Sequence, residues 1–327
     1  MSTRERPKQL LPLASERPLI VDTVERARSL APDARIRILA GEHLAAPFRT
    51  VLHDLADEAY WIEPKARGTA PVLAWAAWKL ARLDPDAVMV SLHADHLIRP
   101  IEAFKETVRT AVEIAARDEL LLSLGVEPSR VETGYGHIEL GAELAPAGSA
   151  PGFEVAAFHE KPDAATARRY VDEGYLWNTG IFVWKATVLL GEIERHAPEV
   201  AEHLPLLERD DESFFDAVPV SVIDRAVMER SERVGVVKAS FSWDDVGSWE
   251  ALARTRSTDA DGNVVLGSGR LVDATGNIVF SEGDGSVVVF GAEDLIVVRT
   301  NDTTMVLPRH RAADLKTLLA RLGENGP

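Results

Sequence analysis

From residue 18 to about 126 short apolar runs alternate with segments of helical period, and this alternation limits the possible folds more than any other feature. A helix is predicted after Pro18, with Leu19, Ile20, Thr23, Val24 and Ala27 on one face. Strands are predicted at 36–41, 59–63, 87–92 and 120–126, and further helices at 46–55, 69–83 and 102–117. Helices lying between successive strands imply an α/β chain with a Rossmann-like, mostly parallel sheet covered by helices on both faces. In such sheets ligands bind beyond the carboxyl ends of the strands, where Glu63, Asp95 and Lys161 are expected.

After about residue 255 the texture changes to short apolar runs punctuated by Gly, Asp and Asn, at 263–266, 269–272, 277–280, 286–290, 295–299 and 304–307. A helix is predicted at 311–322, with Ala312, Leu315, Leu318, Leu319 and Leu322 on one face. Two domains follow: residues 1–255, and a small β-rich domain at 256–327.

Composition narrows the chemistry. The 36 Lys and Arg against 52 Asp and Glu leave a net charge of −16, which repels nucleic acids and anionic membranes, so a phosphate ligand needs specific Lys, Arg or metal contacts. The absence of cysteine excludes disulfides, thiolate metal sites and thiol nucleophiles. The amino-terminal segment has no apolar run of signal-peptide length and no later stretch approaches the length of a membrane span, so a cytoplasmic protein is expected. His43, His53, His137, His196, His203 and His310 are scattered without metal-ligand spacing.

Several polar segments stand out, each with an ordinary alternative. In Pro7-Lys8-Gln9 the lysine follows a fixed proline and can meet a phosphate, or it is a surface lysine. In Glu63-Pro64-Lys65-Ala66-Arg67-Gly68-Thr69-Ala70-Pro71 a strand gives way to a helix, with Thr69 as a candidate cap and free backbone N–H groups, or this is only a capped loop. Asp95, in Leu92-His93-Ala94-Asp95-His96, can hold Mg²⁺ or cap a helix. Thr133-Gly134-Tyr135-Gly136 lets backbone approach a ligand beside a flat aromatic wall, or forms a tight turn. Glu160-Lys161-Pro162 sets an acceptor for sugar hydroxyls beside a cation, and Asn178, in Trp177-Asn178-Thr179-Gly180, adds an amide; the mixture suits a sugar phosphate. The pair Asp244-Asp245 lies between Trp243 and Val246-Gly247-Ser248-Trp249, as a second acidic site or a surface turn anchored by tryptophan.

In order and spacing these seven segments resemble the sugar-1-phosphate nucleotidyltransferases, most closely the mannose-1-phosphate guanylyltransferases, over nearly the whole chain. The resemblance implies a Rossmann-like (GT-A-like) catalytic domain and a short β-helical tail, often an oligomer contact, through which a homodimer forms. It implies Mg²⁺-dependent transfer of a nucleotidyl group from GTP to mannose 1-phosphate, giving GDP-mannose and pyrophosphate. By the same resemblance Lys8 touches nucleotide phosphates, Glu63, Pro64, Thr69 and Ala70 line the nucleotide pocket, and Asp95 and Asp245 hold Mg²⁺. Tyr135, Gly136, Glu160, Lys161 and Asn178 then face the sugar phosphate, with Lys8, Lys161, Asp95 and Asp245 as the catalytic groups.

The departures are specific. Relatives carry a strand and a Gly-Gly-x-Gly-Thr-Arg loop, then Trp-Pro, ahead of Pro-Lys-Gln, so a natural product about 20–25 residues longer is expected, enough for one strand and loop. Gly68 stands where Asn is usual, and His93-Ala94 where Pro-Ser is usual. These departures leave open a non-catalytic nucleotide-sugar-binding regulator, or another pairing of nucleotide and sugar phosphate.

Overall fold

The computed structural model describes residues 7–13, 15–301, 303–315 and 321. Its strands, in chain order, are β1 (Ile38–Gly41), β2 (Tyr60–Glu63), β3 (Val88–Ser91), β4 (Leu97–Arg99), β5 (Leu121–Val126), β6 (Gly136–Glu143), β7 (Gly152–Glu160), β8 (Leu176–Lys185), β9 (Val234–Lys238) and β10 (Ser242–Asp244). Then follow β11 (Val264–Leu266), β12 (Gly269–Val272), β13 (Ile278–Ser281), β14 (Val287–Phe290), β15 (Leu295–Arg299) and β16 (Thr304–Pro308). The helices are α1 (Leu19–Arg28), α2 (Glu42–Val51), α3 (Thr69–Leu83), α4 (Ile101–Asp118), α5 (Ala164–Asp172), α6 (Ala186–His196), α7 (Pro198–Ala201), α8 (Asp211–Ala217) and α9 (Trp249–Thr255).

The packing separates two compact bodies. The larger comprises residues 23–94 and 98–243 and is built on a six-stranded sheet in the order β3-β8-β5-β9-β7-β6. Strand β5, Leu-Leu-Ser-Leu-Gly-Val, is buried along its whole length, as its nearly continuous apolar run requires of a strand covered on both faces. One face is covered by α4, whose Phe104, Val108, Ala111, Ile114 and Ala115 recur at helical spacing and are all buried. Helix α3 buries Ala70, Leu73, Ala74, Trp75, Ala76 and Ala77 in the other cluster, where Trp75 meets Phe215 edge-on at 5.4 Å.

The α/β class with a β-rich tail holds, but the expected mostly parallel sheet needs correction. Only β5 and β9 pair in parallel within it; β3–β8, β5–β8, β6–β7, β6–β8 and β7–β9 are antiparallel. The parallel pair β1–β2 forms a separate ribbon. The alternation that suggests parallel strands stops at residue 126, and β6, β7 and β8 enter as antiparallel neighbours, a mixture common in large sheets. The predicted helix at 46–55 begins earlier, at Glu42, and accommodates Pro47 in its interior.

The smaller body gathers the described residues up to 22, residues 95–97 and the described residues from 244 onward. The expected division after residue 255 therefore differs from the one the packing draws. Leu11, Leu13, Leu19, Val246 and Leu252 form one buried cluster with Leu97, Trp249 and Leu266, so α9 belongs with the tail. Arg256 fastens the amino-terminal segment to this body by donating to the carbonyls of Leu13, Pro12 and Ser15.

The tail winds as a short β-helix. Strands β11, β13 and β15 stack in parallel register, Val264 on Ile278 on Ile296, with β16 antiparallel at the edge. Buried asparagines stitch the coils: Asn263 Oδ1 accepts the backbone N–H of Asn277 at 2.8 Å, and Asn277 Oδ1 accepts that of Leu295 at 3.0 Å. Each amide thus satisfies backbone groups that a coil corner leaves unpaired. Of the helix predicted at 311–322, residues 316–320 and 322 lie outside the described residues; a tight 3₁₀ segment covers Arg309–Asp314.

Candidate active site

In the smaller body three segments far apart in sequence meet at one ammonium group. Lys8 begins a single 3₁₀ turn after Pro7, and its Nζ lies 2.9 Å from Asp95 Oδ2 and donates to the backbone carbonyl of Asp245 at 2.6 Å. The Lys8 and Asp95 side chains are 24% and 22% exposed, so both remain open to a ligand while being held by each other. Asp95 is thus an ion-pair partner, and its alternative reading as a helix cap is set aside: α4 begins after Pro100.

The acidic loop after β10 divides its two carboxylates by task. Asp244 is buried, receives Arg254 at 3.0 Å and accepts the Val246 N–H at 2.9 Å. Val246 has φ +47, a conformation unfavourable for a β-branched residue, so Asp244 and the apolar cluster around Val246 hold a strained turn in place. Asp245 Oδ1 accepts the Gly247 N–H at 3.0 Å, which orients that carboxylate at the tip.

In the larger body the second cluster forms where β6, β7 and β8 run side by side. Gly136 is in register with Glu160, and His137 with Trp177, which brings Asn178 next to them. A Cβ on Gly136 would lie 2.8 Å from Glu160 Oε2 and 3.3 Å from Asn178 Cβ; only glycine leaves this carboxylate undisturbed. Lys161 sits at φ +52 in the left-handed region and pairs with Glu160. The strand end thus presents an acid and a cation together.

Asn178 is 8% exposed and fully engaged at its oxygen, which accepts Ser123 Oγ at 2.7 Å and the Gly180 N–H at 3.0 Å. Its Nδ2 donates to Asp224 Oδ1 at 3.0 Å. Asn178 therefore acts chiefly as a brace, which qualifies the expectation that it faces the ligand. Asp224 escapes a reading of the sequence alone; the signal is an acid set between Ile223 and the buried Ala226, Val227 and Met228. Burial, with Glu160 nearby, pushes its carboxyl up to about 6.

Tyr135 needs correction as a sugar-facing wall. Its ring is buried edge-on against Trp177 at 5.2 Å and Trp243 at 4.8 Å, and its hydroxyl receives Arg130 at 3.2 Å. It anchors the glycine-bearing loop from within the core.

Glu63 ends β2 and Pro64 follows it; burial raises the Glu63 carboxyl above the usual range. At the start of α3 the capping residue is Gly68, not Thr69, and no side chain caps the helix. The Ala70 N–H, expected to be free, donates to the Ser221 carbonyl at 3.1 Å, and the Thr69 hydroxyl accepts the Ile223 N–H at 2.9 Å. Gly68 makes this clasp possible: at φ +86 its missing Cβ would lie 2.3 Å from Ser221 O.

Comparison with known proteins agrees with this architecture. Residues 2–262 match the Nucleotidyl transferase family, and residues 258–322 the MannoseP isomerase/GMP-like beta-helix domain. The alginate biosynthesis protein AlgA of Pseudomonas aeruginosa is 35% identical over 340 residues, covering 100% of this chain and 69% of the relative. The mannose-1-phosphate guanylyltransferase of Escherichia coli K12 is 33% identical over 336 residues, covering 98% of this chain and 70% of the relative. A crystal structure from Thermus thermophilus, described as a mannose-1-phosphate geranyltransferase, superposes with a TM-score of 0.88 at 33% identity, covering 98% of this chain and 94% of that one. With its acidic loops, its strand-end Glu-Lys pair and its β-helical tail, this chain belongs to the nucleotidyl transferase family.

Proposed function

We propose that the chain transfers a guanylyl group from GTP to α-D-mannose 1-phosphate, releasing GDP-mannose and pyrophosphate. An oxygen of the sugar phosphate attacks the α-phosphorus of the nucleotide. The new P–O bond forms as the bond from the α-phosphorus to the α–β bridging oxygen of GTP breaks, and the electron pair leaves on that oxygen with pyrophosphate. No covalent enzyme intermediate is needed, so catalysis is alignment and charge neutralisation.

One observation carries this reading: a single lysine nitrogen joins Asp95 to the Asp245 loop, 87 and 237 positions away in sequence. Carboxylates supply hard oxygen donors, the chemistry that Mg²⁺ requires, and an ammonium resting on one of them supports a place that favours a cation. Asp95 and Asp245 are the residues that would hold the ion, and bound Mg²⁺ would neutralise phosphate charge. Lys8 keeps a positive charge at the same place, offsetting polyanionic reactants against a chain of net charge −16. Glu160 orients sugar hydroxyls, Lys161 meets the sugar's phosphate, and the clasped start of α3 with Glu63 shapes the nucleotide side.

The tail strands β12 and β14 expose Val272, Val288 and Phe290, apolar side chains suited to a homodimer contact. Among the described residues no helix is long and apolar enough to cross a membrane. Function is tested by pyrophosphate release with GTP and mannose 1-phosphate, set against other nucleotide and hexose 1-phosphate pairs. The proposal expects this pair to be turned over fastest; release with no pair overturns it.

A further inference from the structure

We infer that Asp224 is a specificity-determining residue of the sugar-phosphate site, presenting its carboxylate to hexose hydroxyls while Asn178 serves as its brace. The inference deepens the proposed function and rests on its assignment of the Glu160 cluster to the sugar.

Asp224 is fixed from two sides. The residue before it is tied to the start of α3, because the Ile223 N–H donates to Thr69 Oγ1 at 2.9 Å. Its own side chain receives Asn178 Nδ2 at 3.0 Å, and Asn178 is locked in turn by Ser123 and Gly180. The backbone from Asp224 to Met228 takes a π-helical turn, an irregularity frequent at functional sites.

The side chain is only partly buried, and an ionised carboxylate offers about four acceptor positions. Asn178 takes one. Glu160 and Lys161 both act electrostatically on Asp224, which sets it within the same cluster. An acid held at the cost of desolvation, on a rigid mount beside a second acid and a cation, suits a polyol better than bare phosphate. Two carboxylates accept from neighbouring hydroxyls, while the cation meets the phosphate. The raised pKa of the Asp224 carboxyl accompanies that cost.

The test measures equilibrium binding of mannose 1-phosphate, glucose 1-phosphate and GTP by calorimetry to the chain and to Asp224→Asn, with pyrophosphate release scored separately. Asparagine can still accept from Asn178 through its amide oxygen but loses the charge. Hexose 1-phosphate affinity is expected to fall roughly ten- to hundredfold, the range for hydrogen bonds to charged groups, with mannose and glucose esters less well discriminated. GTP affinity should hold and the thermal midpoint should not fall, because the amide is spared the carboxylate's desolvation. Asp224→Ser, smaller and uncharged, should repeat the loss and guards against a folding defect in one variant. Unchanged hexose phosphate binding in both variants, a lowered thermal midpoint with binding intact, or no binding by the unsubstituted chain overturns the inference. Binding that depends on Asp224 without any pyrophosphate release upholds the inference and overturns the proposed function alone.

Discussion

Substituting Gly136 by alanine isolates the contribution of one carboxylate without removing it. A methyl there lies 2.8 Å from Glu160 Oε2, 3.3 Å from Asn178 Cβ and 3.4 Å from Phe158 Cε1. The closest atom ends a flexible side chain, so relief comes from swinging Glu160 aside. Gly136 is not among the residues of positive φ, so alanine meets no backbone strain, and loss of glycine's unfolded-state freedom returns roughly 0.5–1 kcal/mol. Crowding costs about 1 kcal/mol or slightly more, so the two nearly cancel and the thermal midpoint should move by only a few degrees. A displaced Glu160 forfeits a charge-assisted hydrogen bond to the sugar, about 1.5–3 kcal/mol. In steady-state pyrophosphate release this appears as a roughly ten- to hundredfold fall in kcat/KM for mannose 1-phosphate, carried mainly by KM, with KM for GTP little changed. A folded, active variant with unchanged KM for mannose 1-phosphate, or with an equal rise for GTP, would refute the reasoning.

Three other outcomes are expected. Asp95→Asn and Asp245→Asn should each lower turnover by orders of magnitude, because weakening a metal site removes several kcal/mol of transition-state stabilisation; rapid-quench turnover at saturating Mg²⁺ checks this. Gly68→Ala should destabilise the larger body by roughly 1–3 kcal/mol, since its Cβ at φ +86 would clash with Ser221 O, a backbone atom that cannot swing aside; urea unfolding reads the loss. Asp224 has its folded pKa raised from 3.8 to about 6, so the folded chain binds the proton more tightly and Asp224's contribution to stability falls as pH rises across that interval, by at most about 3 kcal/mol. The difference in unfolding free energy between Asp224→Asn and the unsubstituted chain should therefore shift in favour of the variant from pH 4 to pH 7, and a flat difference would contradict it.

The sequence speaks most clearly where one side of an element decides its fate. Helix α3 falls at the predicted 69–83 because its long apolar stretch has both a defined start at Gly68 and a full complement of buried partners. Strand direction is not legible: the apolar run of β5 marks it as buried but carries no sign of parallel or antiparallel pairing, which depends on where the chain returns. In the two clusters, the chemistry-bearing residue types at 8, 95 and 245 and at 160 and 161 stand out in the sequence, whereas the division of labour does not. Tyr135 turns inward because Trp177, Trp243 and Arg130, none adjacent to it in sequence, make a better place for its ring and hydroxyl. Thr69 has the sequence context of a cap, yet its hydroxyl serves Ile223, 154 positions on. Asp224 is visible only through that long-range clasp and the amide of Asn178.

Phosphorus-31 NMR of the purified chain with GTP, mannose 1-phosphate and Mg²⁺ tests the central claim most directly. The account predicts that the three phosphate resonances of GTP and the monoester resonance of mannose 1-phosphate give way to those of free pyrophosphate, from the β- and γ-phosphorus, and of a sugar-capped diphosphate in equal amounts, and that chelating the divalent ion stops the exchange. Inorganic phosphate in place of pyrophosphate, or conversion that persists without the ion, would contradict it.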